Sequence, residues 1–246
     1  MSKICALVFH RIVKETITEL SDVKIDSLEY LLKSAMIKDI PVCSLKKIEQ
    51  DIPFQLILTF DDGNKTDLDI VLPLLKKYNA SATFFVATNF IGKKDYMSWS
   101  EIAELSKAGM EIGSHSVNHS FLSSISDEKL EIELKKSKET IERNLGITVE
   151  SFAYPYGDYS NKTNRIALSL GYKKICNSRP GIVSSDKKIL PRNSIYSLSS
   201  IKEIDEIISG NNFIYLKKKV NYEVRSLIKS SIGNKNYMKL KKYLFH

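Results

Sequence analysis

Two adjacent carboxylates, Asp61 and Asp62, end the short apolar run Leu56-Ile57-Leu58-Thr59-Phe60 and are followed by Gly63. Neighbouring side chains at the end of a strand point to opposite sides, so such a pair can divide two tasks between its members. Taken alone, Asp-Asp-Gly after a strand is ordinary turn chemistry. About fifty residues further on, however, Met110 to Ile112 runs into Gly113-Ser114-His115-Ser116-Val117-Asn118-His119, which places two of the four histidines at a spacing of i, i+4. Two imidazoles and one carboxylate make a three-ligand set for a divalent ion. A fourth position is left for water, as in hydrolytic zinc sites.

The elements that must hold these groups alternate in type along the chain. Residues 4–9 form an apolar first strand, and Ile25 to Met36 has helical spacing at Ile25, Leu28, Leu31 and Leu32. A short strand at 40–43 and a helical turn from Leu45 to Glu49 precede the Asp-Asp strand. Asp67 to Tyr78 is a helix with acids in its first turn and lysines in its last, the charge order that the helix dipole favours. Ala82 to Ala87 is a buried strand, Ser98 to Lys107 a helix that stops at Gly109, and Met110 to Ile112 the strand that carries the histidines. A long helix from Ser126 to Leu145 ends at Gly146. Strands at 151–154 and 172–176 flank a helix at 162–170, an extended segment opens at Leu190-Pro191-Arg192, and a helix spans Ser200 to Ile208. Strands alternating with helices indicate an α/β fold with a mostly parallel sheet, and the motifs fall at the carboxyl ends of strands, where a (β/α) barrel builds its active site.

Composition sets the remaining bounds. Cysteines at 5, 43 and 176 form no Cys-x-x-Cys pair, which argues against a disulfide framework or a thiolate zinc site. The apolar run at the N-terminus is too short for a signal-peptide core, and no segment has the length of a membrane span, so a cytoplasmic protein is expected. The formal charge of +8 is concentrated at one end. Residues 211–246 hold nine basic residues against the single acid Glu223, while residues 1–210 carry 28 of each sign. Within that tail Leu216, Val220, Val224, Leu227 and Ile228 recur at helical spacing, continued by Tyr237, Leu240 and Leu244. A basic amphipathic segment suits an anionic membrane face, although a helix packed on the body with its lysines in water is an equal reading. No nucleic-acid-binding signature accompanies the charge.

Thr59-Phe60-Asp61-Asp62-Gly63, His115-Ser116-x-x-His119 and Phe152-Ala153-Tyr154-Pro155-Tyr156-Gly157 together resemble the first three motifs of the polysaccharide deacetylase family, the NodB-homology or carbohydrate esterase family 4 enzymes. Order and spacing match as well as the residues, and the likeness covers residues 4–210. The resemblance implies a distorted (β/α) barrel of about seven strands over residues 1–210, and the charge and helical spacing set 211–246 apart as an appended basic helical tail. It implies Asp62, His115 and His119 as metal ligands for zinc, with cobalt, nickel or manganese as alternatives. Asp61 then becomes the base that activates a metal-bound water for attack on an acetamide carbonyl. The resulting oxyanion would meet backbone N–H groups near Tyr156, with Pro155, Tyr156 and Gly157 as the substrate-contacting turn.

The sequence departs from the common family pattern in three places. Ala153 stands where an arginine that orients the base is usual. The late Asp-x-x-x-Trp and Leu-x-His motifs are missing, since the only tryptophan is Trp99 and the only late histidine is His246. A branch similar to the poly-N-acetylglucosamine deacetylases shares Phe-Ala-Tyr-Pro-Tyr-Gly and has a histidine at the end of its first strand, which here is His10. His10 is therefore the candidate general acid, against a packed or surface histidine. Arg192 is the candidate for the missing arginine's role, against a solvated arginine beside a proline turn. Tyr156 is expected to line the groove, Tyr154 and Trp99 to sit in the core, and Asn64 and Lys65 to lie in a solvated loop.

The function expected from this resemblance is removal of acetyl groups from N-acetylated sugars of a polysaccharide or its lipid-linked precursor; composition adds a cytoplasmic place, and the membrane reading of the tail would put it peripherally at the inner membrane face. Its rivals are a small cyclic amide hydrolase on a similar barrel and a non-catalytic glycan-binding protein.

Overall fold

The structure, a computed structural model, describes residues 2–233 together with 236 and 237. Leu240, Leu244 and His246 lie outside the described residues. The chain begins with β1 (Lys3–Phe9), a small parallel pair β2 (Ile12–Val13) and β3 (Val23–Lys24), and α1 (Ile25–Ile37). Next come β4 (Val42–Cys43), β5 (Phe54–Asp62), a π-helical turn (Asp67–Val71) that leads into α2 (Leu72–Lys77), β6 (Thr83–Val86), α3 (Trp99–Lys107) and β7 (Glu111–Ser114). Then follow α4 (Asp127–Leu145), β8 (Ser151–Ala153), α5 (Asn161–Ser169), β9 (Lys174–Cys176), β10 (Val183–Ser184), β11 (Ile189–Leu190), β12 (Arg192–Ser194), α6 (Ile201–Ile208) and α7 (Asn212–Ile232).

The main sheet runs in the order β10, β1, β5, β6, β7, β8, β9, β11, with β12 also on β1 and β4 on β5. Every pairing is parallel except that of β10 with β1. β11 pairs with β9, and one residue later β12 pairs with β1, so the strand broken at Pro191 brings the two ends of the sheet together into a nearly closed barrel. Seven parallel positions surround the interior: β1, β5 to β9, and the broken β11–β12. The expected distorted barrel is thus the observed one. The short β2, β3 and β10 carry no apolar periodicity that would have marked them.

Alternate residues of each strand face the interior. Ile4, Ala6, Ile57, Phe85, Ala153, Cys176 and Leu190 fill it. The opposite set packs outward against the helices, including Phe9, Phe60 and Phe84, whose rings stack at 5.3 and 5.1 Å between centroids. Phe85 occupies its place because residue 113 is glycine: a Cβ there would lie 2.5 Å from the Phe85 ring. Above this apolar layer, at the carboxyl ends of the strands, the inward positions turn polar. Among the described residues no helix is long and apolar enough to cross a membrane.

Candidate active site

Asp61 is the last inward-facing residue of β5 and is fully enclosed. Its partner is Arg192 at the start of β12, also fully buried, which donates from both ends of its guanidinium: Nη1 to Oδ1 at 2.6 Å and Nη2 to Oδ2 at 2.8 Å. The same guanidinium is fixed by Thr59 Oγ1 at 3.1 Å and the Asn177 carbonyl at 3.2 Å, and its carbon lies 5.5 Å from the centroid of the Phe85 ring. Burial pushes the Asp61 carboxyl up, but the charge of Arg192 and its hydrogen bonds outweigh it and hold the group below the usual carboxylate range. Asp61 is therefore a fixed, ionised carboxylate. The alternative of a solvated Arg192 is excluded by its burial.

Asp62 points the other way, where the chain leaves β5 with φ 79° and turns through Gly63. Asn64 braces this turn by donating to the Asp61 carbonyl at 3.2 Å, and Lys65 pairs with Glu101 at 3.3 Å. Asp62 Oδ1 lies 3.2 Å from His119 Nε2 and 3.6 Å from His115 Nε2, yet this buried oxygen makes no hydrogen bond. Two atoms each bonded to a tetrahedral zinc ion are about 3.4 Å apart, so the three side chains fit a single ion. Asp62, His115 and His119 are the one group of this kind among the described residues. Burial pushes Asp62 up as well, but the imidazoles of His119, His10 and His115 hold it far below the carboxylate range.

His115 follows β7 on the interior side. Its Nδ1–H donates to the Ala153 carbonyl at 2.8 Å, which fixes the tautomer and turns Nε2 towards Asp62. Burial pushes this imidazole down to about 4, so at neutral pH it is uncharged, the form a metal ligand requires. His119 sits in a tight loop with φ 53°, after Ser116 with φ 66°. Glu133, on the buried face of α4, holds that loop: its Oε2 accepts from the Val117 and Asn118 N–H groups at 3.0 and 2.9 Å, and its Oε1 from the Asn118 amide.

Sequence reasoning passed over Glu133 and Thr59. The signal for Glu133 was present, because a carboxylate stands within the stripe Leu130, Leu134, Ile141 that the helix buries. Thr59 carries no such mark, since its hydroxyl meets Arg192 only once the barrel closes.

His10 follows β1, half-buried, near enough to Asp61 and Asp62 to interact electrostatically with both carboxylates. Pro155 and Gly157 are buried in a one-turn helix, while Tyr156 between them has φ 58° and projects outward. Its ring meets His119 edge-on at 4.5 Å and stacks on Phe121 at 4.2 Å. A Cβ on Gly157 would lie 2.6 Å from Ser178 Cβ, which locks the turn against the loop after β9. Tyr154 is buried with its hydroxyl on Asn164 and so is not free to stack on a sugar, and Trp99 is half-buried against the core.

The family model described as polysaccharide deacetylase matches residues 50–175, just over half of the chain. The peptidoglycan-N-acetylglucosamine deacetylase of Bacillus cereus is 33% identical over 121 residues, 49% of this chain and 54% of that protein. The poly-beta-1,6-N-acetyl-D-glucosamine N-deacetylase of Staphylococcus aureus is 27% identical over 176 residues, 66% of this chain and 57% of that one. The Streptococcus pyogenes deacetylase PplD, solved in complex with acetate, superposes with a TM-score of 0.76 at 27% identity over 85% of this chain and 97% of its own. The chain spans about half the length of the curated relatives it matches.

Proposed function

Because the chain belongs to the polysaccharide deacetylase family, we propose that it is a metal-dependent de-N-acetylase acting on N-acetylated sugars of a polysaccharide or its lipid-linked precursor. The observation that carries this reading is the cluster of Asp62, His115 and His119 beside a buried, arginine-clamped Asp61. Asp62, His115 and His119 would hold the divalent ion, zinc or else cobalt, nickel or manganese. When bound, that ion supplies Lewis acidity, which acidifies water and polarises an amide carbonyl.

The chain's own groups do the rest. Asp61 takes a proton from the attacking water, and Arg192 keeps its oxygens aimed and ionised. The backbone N–H of Tyr156 stabilises negative charge on the carbonyl oxygen, since Pro155 has no N–H and that of Gly157 is taken by the Tyr154 carbonyl. His10 gives a proton to the departing amine as the carbon–nitrogen bond breaks, leaving acetate and a free amino sugar. The outward Tyr156 offers an apolar ring to the sugar face, backed by Phe121. The reading places the protein in the cytoplasm.

The test is acetate release from a panel of N-acetylated monosaccharides, oligosaccharides and lipid-linked sugars, with zinc or cobalt supplied and then removed by chelation. Release that requires metal and falls by about 10²–10⁴ in Asp61→Asn is expected. His10→Ala should lower kcat by a similar factor with KM nearly unchanged, and activity close to wild type would remove His10 from the mechanism. No release from any member by protein that binds metal would overturn the enzymatic reading in favour of glycan binding.

A further inference from the structure

α7 has two unlike faces. The inner one is tied to the body: Ile214 and Tyr215 are buried, Lys218 reaches Glu203 at 2.5 Å and the Ser194 carbonyl at 3.0 Å, and Glu223 pairs with Arg179 at 2.5 Å. Farther along, the Lys229 ammonium lies 5.2 Å from the centroid of the Phe121 ring, which stacks on Tyr156 at the mouth of the site. The helix therefore runs past the rim of the candidate active site. The outer face carries Phe213, Leu216, Val220 and Val224 in a row at helical spacing, 72, 59, 55 and 51% exposed. Isolated exposed apolar residues are ordinary, but a continuous row on one helix marks a surface that something covers.

Charge indicates what covers it. Besides Lys218, which is paired with Glu203, α7 bears Lys217, Lys219, Arg225 and Lys229, and its one acid is already committed to Arg179. Two copies of this helix laid face to face would bring like charges together, whereas an anionic surface would neutralise them. We propose that the outer face of α7 docks the protein on an anionic lipid bilayer, its apolar row at the acyl boundary and its lysines among the headgroups. The mouth of the site then opens beside the membrane. That lipid-linked sugars are the substrates presented there rests on the deacetylase reading; the docking does not.

The full chain is tested by co-sedimentation with phosphatidylglycerol–phosphatidylcholine vesicles and with phosphatidylcholine vesicles alone, at low and high salt. Binding about tenfold or more stronger to the anionic vesicles, weakened by salt, is expected. Leu216→Glu/Val220→Glu should lose at least about tenfold with an unchanged circular dichroism spectrum, and Lys217→Gln/Lys219→Gln should lose most of the salt dependence. Asp61→Asn should bind as wild type does. Absence of vesicle binding, or unchanged binding in both double variants, overturns the proposal. So does a wild-type dimer that Leu216→Glu/Val220→Glu dissolves, which would assign the face to a second copy. Vesicle binding without acetate release from any substrate upholds the docking and rejects only the enzyme.

Discussion

Arg192 and Asp61 stabilise each other only as a pair. Each is a full charge removed from water, and the bidentate contact compensates for that loss on both sides. Arg192→Met would leave Asp61 buried beside Asp62 without its cation, and a loss of about 3–5 kcal/mol in urea unfolding is expected. Adding Asp61→Asn should recover part of that loss. A single variant as stable as wild type would show that the pair contributes nothing to the fold. Asp67 presents the opposite case. It is fully buried in the π-helical turn before α2, and neither carboxylate oxygen has a hydrogen-bond partner. Burial pushes its pKa well above the usual 3.8, and the charges of Asp62 and Asp61 push it further. The folded state thus keeps a proton that the unfolded chain releases. The stability linked to that proton is complete below pH 3.8 and declines as pH rises through the folded value. In metal-free protein, Asp67→Asn should gain stability relative to wild type as pH rises from about 4 to 8. Parallel melting-temperature profiles across that range would refute the assignment.

At the scale of elements, the site depends on how a strand end and a helix cooperate. The 115–119 loop has two residues in left-handed conformations and is anchored by Glu133 of α4, which accepts two backbone N–H groups and the Asn118 amide. Glu133→Ala should leave the helix intact but release the loop that carries His119, weakening zinc affinity about 10–100-fold in calorimetric titration. Affinity within twofold of wild type would confine Glu133 to a structural part. This contrast explains what the sequence could reveal. Asp61, Asp62, His115 and His119 are legible because each closes or follows an apolar run, so local periodicity alone carries them to the same end of a parallel sheet. Helix limits such as Ser98 before α3 and Gly146 after α4 are legible from capping chemistry, and both appear as expected. Arg192 could be nominated but not located, because its contact with Asp61 exists only through the pairing of β12 with β1 across more than 180 residues of chain. The π-helical turn and the short β2, β3 and β10 owe their form to tertiary packing, which overrides any local preference.

The whole molecule raises the question of where the body ends. Charge divides the chain at residue 210, since all of the excess lies beyond it, and a catalytic domain over 1–210 with an appended tail is the division we propose from that asymmetry. Packing at the junction gives it a measurable content. Ile214 and Tyr215, just past the division, are buried, and the Tyr215 hydroxyl donates to the Ile207 carbonyl at 2.6 Å and meets Cys5 Sγ at 3.2 Å. Lys218 then closes onto Glu203 of α6. A chain ending at 210 would uncover the outer side of β1 and forfeit the burial of two large side chains, about 3 kcal/mol or more. A chain ending at 219 would keep these contacts and lose the rest of the exposed row. Urea unfolding of the two truncations should therefore separate them by that amount, with the longer one close to the full chain. Equal stability would mean that the first turn of α7 adds nothing to the barrel and that the boundary of the folded unit coincides with the change in charge. The expected difference would instead make that turn part of the body, with the tail proper starting where the helix last touches α6.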